Sequence, residues 1–100
     1  MTTTVIAKWN ATGAANEHYI GRPSRWGNPF SHKDGTLAAF KVASREEAVA
    51  SYEEWILTQP ELLADLEELR NKVLVCWCHP KACHGHVLAR LVNERFPDGG

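Results

Sequence analysis

The chain has 100 residues, of which 44% are hydrophobic, and its 11 Lys and Arg against 12 Asp and Glu leave a formal net charge of -1. That length supports one core and not two, and the near-neutral balance argues against direct nucleic-acid binding through phosphates, which calls for a strongly basic footprint. No apolar run approaches the length of a membrane span, and the Thr-rich start lacks the basic end and apolar stretch of a secretion signal, so one domain over residues 1–100, away from membranes and in the cytoplasm, is expected.

Thr3 to Trp9 is β-branched and aromatic, which predicts a strand, and Asn10 to Asn16 supply the small residues of a loop. His18 to Arg22 is a second short strand. It runs into Pro23-Ser24-Arg25-Trp26-Gly27-Asn28-Pro29-Phe30, whose prolines and glycine predict an ordered loop. Ser31 to Thr36 reads as surface loop and Leu37 to Val42 as a short extension of the core.

Ser44 followed by Glu47 is a capping-box pattern, and Ala48, Val49, Tyr52, Trp55 and Ile56 then fall on one helical stripe. A second helix is expected from Pro60 or Glu61, with Leu62, Leu63, Leu66 and Leu69 as its buried face and Asn71 as its stop. Val73 to Cys78 is a continuous apolar run, the pattern of a central strand. A tight loop from His79 to Cys83 and a final helix from about His84 complete the chain, with Pro97 ending the helix. Strands at the start and late in the chain, with helices between and after them, predict an α/β fold: a small three-layer domain with flanking helices and a mostly parallel sheet, mixed if the first two strands pair antiparallel.

Two segments carry candidate chemistry. Between Cys76 and His86, six Cys or His side chains occur in eleven residues. Three cysteines, Cys76, Cys78 and Cys83, are an odd number, and two of them sit on one expected strand, so reduced thiols are expected. Thiolate and imidazole are the preferred ligands of zinc, the metal this set would take, although the spacing is not that of the usual paired Cys-x-x-Cys sites. The same residues also form a strand-loop-helix unit. Ligands of open α/β sheets bind beyond the strand carboxyl ends, and helix starts attract anions. Here Cys78 and Gly85 would line a pocket, and Cys83 and His84 would be the reactive groups of any catalysis, the thiol a nucleophile with His84 or His86 as its base. The plain structural alternative is that His84 caps the helix and Cys83 packs.

In the other segment, Arg22 and Arg25 suit phosphate or carboxylate, Trp26 offers a stacking face, and Asn28 offers an amide that reads a base or sugar. Together these describe a site for a nucleotide or other anionic small molecule. The alternative is a rigid loop in which Trp26 and Phe30 plug the core and the arginines are solvated.

Tyr19-Ile20-Gly21-Arg22, Trp26-Gly27-Asn28-Pro29-Phe30, the helix with Glu46-Glu47-Ala48 and Tyr52, and Cys76-Trp77-Cys78 followed by Pro80 and Cys83-His84-Gly85 together resemble the domain of unknown function family 4326 of bacteria and phages. The resemblance runs from about Tyr19 to Val92 and implies a fold and a set of site residues, not a reaction. Members usually carry an Asp two positions after the His, where this chain has His86. The leading expectation is therefore binding, with or without processing, of a nucleotide or related phosphorylated small molecule between the two segments. A zinc-stabilised non-enzymatic module and a protein-interaction factor of phage or bacterial type are the competing readings. Oligomeric state is not readable from the chain, and its 4 Trp are compatible with a homodimer.

Overall fold

The two longest strands form where the chain is rich in β-branched and apolar residues. In the computed structural model, which describes residues 3–22, 24–31, 40–77, 81 and 83–96, the elements in order are β1 (Thr4–Ala7), β2 (Glu17–Tyr19), β3 (Phe30–Ser31), β4 (Phe40–Lys41), α1 (Arg45–Ile56), α2 (Pro60–Ala64), β5 (Val73–Cys76) and α3 (His84–Arg95). Short 3-10 turns follow β1 at Lys8–Asn10 and continue α2 at Asp65–Leu69. The expected loop from His79 to Ala82 lies largely outside the described residues, as do residues 32–39, Pro23 and the stop at Pro97.

The main sheet has the order β1-β5-β2, with β5 central and both of its neighbours parallel to it. β1 and β2 are thus separated by β5, and the antiparallel pairing between them does not form. Ala7 lies opposite Cys76 and Tyr19 opposite Val75, and Ile20 adds one more rung by donating its N–H to the Val75 carbonyl at 3.0 Å. All three strands therefore end at the same edge.

Side chains alternate across this sheet, so Val5, Leu74, Cys76 and Ile20 share one face. α3 lies on it. A Cβ added at Gly85 would stand 2.9 Å from Ile20 Cδ1 and 3.2 Å from Val5 Cγ1, so the helix approaches the sheet as closely as it does because residue 85 has no side chain. The opposite face carries Glu17, Tyr19, Ile6 and Val75. The Thr12 and Gly13 amides, in the connection from β1 to β2, donate to the Glu17 carboxylate. Those bonds pull the Glu17 carboxyl below its ordinary range. The α/β architecture with a parallel sheet and flanking helices is as expected.

α1 starts as its capping box predicts: Ser44 Oγ accepts from the Glu47 amide at 3.1 Å, and the Glu47 carboxylate reaches back to the Ala43 amide at 2.9 Å. Its stripe buries Ala48, Tyr52 and Ile56 against α3, and an ion pair between Glu53 and Arg90 closes the outer rim of that contact. Leu62, Leu66 and Leu69 enter the same core. Asn71, the expected stop, adopts φ 58°, a left-handed conformation that Asn tolerates better than most side chains. Thr3 fastens the start of β1: its backbone exchanges two hydrogen bonds with the Asn93 amide, and its hydroxyl donates to the Leu69 carbonyl. A second, two-stranded ladder of β3 and β4 stacks Phe30 on Phe40, with ring centroids 5.3 Å apart. The sequence pattern predicts neither strand; Leu37 to Val42, which contains β4, reads there only as a short extension of the core.

Among the described residues, no helix is long and apolar enough to cross a membrane.

Candidate functional site

The carboxyl ends of β1, β5 and β2 and the amino end of α3 meet at one edge of the sheet. β5 leads into the Cys/His segment and β2 into Gly21 and Arg22, so the two sequence segments singled out for chemistry both leave from this edge. What they contribute differs from residue to residue.

Cys83 is the N-cap of α3. Its Sγ accepts from the Gly85 amide at 3.3 Å, and its carbonyl accepts from the His86 amide at 3.0 Å. The thiol thus does the work usually given to a Ser or Asp oxygen. It is 1% exposed. His84 is buried too, edge-on to Tyr52 with ring centroids 5.0 Å apart. Its Nε2 lies 2.8 Å from the Ile20 carbonyl. A carbonyl only accepts, so Nε2 carries the proton, and the neutral ring then presents Nδ1 as an acceptor towards Cys83 Sγ at 3.8 Å. Burial pulls the imidazole down to about 4, the Ile20 carbonyl opposes that fall, and the charges of Arg22 and His86 add to it. Of the sequence alternative in which His84 caps and Cys83 packs, the second half holds: Cys83 packs in the core and also caps the helix, while His84 packs.

This arrangement sets what the pair can do. For Cys83 to act as a nucleophile, His84 Nδ1 would take its proton and become an imidazolium inside the core, next to Arg22 and with its other nitrogen already committed. The field and the burial both oppose that state. As placed, the two residues fix the helix start against the strand end.

Arg22 is half-buried and close enough to His84 to act on its charge. Its stem lies over the tight turn at Gly27, where an added Cβ would meet Arg22 Cγ at 2.9 Å and the Ser24 carbonyl oxygen at 3.1 Å. Arg25 lies elsewhere: it is paired with Asp65, reaches Glu68 at 3.9 Å and sits 5.4 Å from the centre of the Trp26 ring. Its charge is answered by those carboxylates and not held for a ligand.

Trp26 and Asn28 anchor the loop to α1 and to Glu68. Trp26 is 0% exposed, so neither ring face is open to stacking. Its indole N–H donates to Glu68 at 2.8 Å, and its carbonyl accepts from the Tyr52 hydroxyl, also at 2.8 Å. Burial of that phenol drives its ionisation far upward. The Asn28 amide is spent in both directions, donating to the Ala48 carbonyl at 3.0 Å and accepting from the Phe30 amide at 2.9 Å.

Two aromatic residues that the sequence pattern places in strands and not in the site stand at this edge. Trp9, two residues past the end of β1, and Trp77, one past the end of β5, are 64% and 60% exposed. Trp77 is held: its indole N–H donates to the Tyr19 hydroxyl at 3.1 Å, and that hydroxyl donates to the Arg22 carbonyl at 3.1 Å.

Gly85, expected to let a ligand approach the backbone, is where α3 comes close to Ile20 and Val5 of the sheet. Cys78 lies outside the described residues, as does His79. Among the described residues no three His, Cys, Asp or Glu side chains are grouped as metal ligands. Cys76 is a buried core thiol, and Cys83 is likewise not in a disulfide.

Residues 5–94 match the family described as Domain of unknown function (DUF4326). The chain is also 31% identical, over 94 residues, to the "Uncharacterized 12.4 kDa protein in nrdA-td intergenic region" of Enterobacteria phage T4, covering 94% of this chain and 81% of that protein. No solved structure matches. A match over nearly the whole chain means that it belongs to the DUF4326 family.

Proposed function

We propose that this protein binds a nucleotide or related phosphorylated small molecule at the carboxyl edge of its parallel sheet. The observation that carries the reading is the convergence of three parallel strand ends with the start of α3, beside Arg22. In such sheets the loops diverge beyond the strand ends and leave a crevice, and the helix that follows the central strand directs the positive end of its dipole there. Arg22 supplies the formal charge, in a guanidinium with several N–H donors suited to phosphate oxygens. Cys83 already satisfies the Gly85 amide, so Arg22 and not the helix amides is the main anion contact. In this reading Cys83 and His84 are the floor of the site and hold its shape.

A thermal-shift panel of nucleosides, nucleotides, nucleotide sugars and inorganic phosphate tests this. At a ligand concentration a hundredfold above Kd, binding adds about 2.7 kcal/mol, a rise on the order of 10 °C for a domain of this size. Phosphorylated compounds should raise Tm and their dephosphorylated counterparts should do so far less. Arg22→Ala, at a half-buried position, should fold and lose most of the rise. A panel in which no phosphorylated compound shifts Tm, or in which Arg22→Ala responds like the wild type, refutes the proposal.

A further inference from the structure

We infer that Trp77 is the platform on which the base of a nucleoside phosphate stacks, so that the ligand of this edge is a nucleotide and not a phosphorylated sugar or free phosphate. The inference rests on the phosphate-binding reading above and adds the organic half of the ligand, which Trp26, sealed in the core, does not contact.

Trp77 follows the last paired residue of the central strand, and the alternation of β5 puts it on the face of Val75 and Tyr19. Its indole is 60% exposed. Trp is the side chain with the most apolar surface to leave in water, and an idle exposed one is usually free to rotate. This one is pinned by its N–H to the Tyr19 hydroxyl. Tyr19 is itself fixed, because its ring tip lies over Gly21, where a Cβ would fall 2.2 Å from the hydroxyl oxygen. Any side chain at residue 21 would push the phenol away, so the absence of one is what lets Tyr19 bridge the two strand ends. An exposed aromatic face held in one orientation costs little further entropy when it stacks on a ligand.

The same hydroxyl ties the platform to the backbone of Arg22. Trp77 Nε1 and the Arg22 carbonyl oxygen are each 3.1 Å from Tyr19 Oη. The aromatic side chain and the residue that carries the cation therefore share one anchoring atom. A flat π-system beside an arginine is the pair of contacts that a nucleotide satisfies and that inorganic phosphate or a sugar phosphate satisfies only in half.

AMP and ribose 5-phosphate differ by the base alone, and calorimetric titration of both into wild type, Trp77→Ala, Trp77→Phe and Arg22→Ala separates the contributions. The wild type should bind AMP more tightly than ribose 5-phosphate by roughly ten- to a hundredfold, the usual range for one base on one aromatic side chain. Trp77→Ala should erase that difference while leaving ribose 5-phosphate affinity unchanged. Trp77→Phe should keep part of it, since the face remains and the anchoring N–H is lost. Arg22→Ala should weaken both compounds. Equal binding of the two compounds by the wild type, or a preference for AMP that survives Trp77→Ala, overturns the role of Trp77 while leaving phosphate recognition by Arg22 intact. Binding of neither compound overturns both. Because the Trp77 side chain is largely in solvent, the alanine variant should melt within a few degrees of the wild type, which a thermal scan of the same samples verifies.

Discussion

His84 should make this protein acid-labile in a window set by its burial. The imidazole titrates near 6.5 in an unfolded chain and near 4 in the fold. Between those values the unfolded chain binds a proton that the folded chain refuses, so acid favours unfolding. Stability is fully retained above about pH 6.5, falls as pH drops towards about 4, and is not lost further by this group below that. Each pH unit inside the window corresponds to about 1.4 kcal/mol, so the whole window amounts to roughly 3 kcal/mol, a large part of the stability of a domain this small. Urea unfolding at half-unit steps from pH 7.5 to 4.5 measures it directly. His84→Gln is the comparison, because its amide can donate to the Ile20 carbonyl but does not titrate; the difference in unfolding free energy between wild type and variant should shrink steadily below pH 6.5. Glu17 does not confuse the reading, since its depressed carboxyl costs stability only below its ordinary value of 4.5. A wild-type-minus-variant difference that stays constant down to pH 4.5 would refute the buried, neutral His84. So would ring nitrogen shifts showing an imidazolium at pH 6.

Cys83 and Cys76 should resist iodoacetamide in the folded protein and react once it is unfolded, as mapped by peptide mass; rapid labelling of Cys83 in the native state would restore it as a nucleophile. Cys83→Ser should keep the helix cap and most of the stability, whereas Cys83→Ala should lose about 1 kcal/mol in urea unfolding. Equal losses in the two variants would contradict the capping role. Asn28→Ala leaves the Ala48 carbonyl and Phe30 amide without their partner, so Tm should drop with a loss of about 1–3 kcal/mol, and a neutral outcome would return Asn28 to the list of ligand contacts.

The parts of this fold legible in the sequence are those decided by neighbours along the chain. Ser44 and Glu47 cap α1 whatever the rest of the molecule does, Asn71 can take the left-handed conformation that ends its helix, and the apolar run at β5 has nowhere to go but the centre of a sheet. The exposures of Trp26 and Trp77 are of another kind. Trp26 lies in a loop of Gly and Pro and Trp77 in an apolar run, so the sequence suggests the reverse of what the fold does with them. Trp26 is buried because Tyr52 and Glu68, far along the chain, take its carbonyl and its N–H. Trp77 is exposed because strand pairing stops one residue earlier, at Cys76. Neither fact has a local signature. The pairing of Phe30 with Phe40 was hidden for the same reason, since a two-residue ladder has no period to detect.

The Cys-His-Gly motif shows how one pattern can serve readings that only geometry separates. A nucleophile, a metal ligand and a helix cap all place a thiol at the end of a strand-loop-helix turn. They differ in where the sulfur's lone pairs and the imidazole's second nitrogen point. Here the sulfur faces the amide of Gly85 and the imidazole donates to Ile20. The motif therefore joins the two strand ends of β5 and β2 through α3, which is what brings Arg22 and Trp77 to the same edge. In the nucleotide-binding site we propose, the chemically familiar residues of the chain are scaffold, and recognition would fall to an arginine and a tryptophan that both lean on Tyr19.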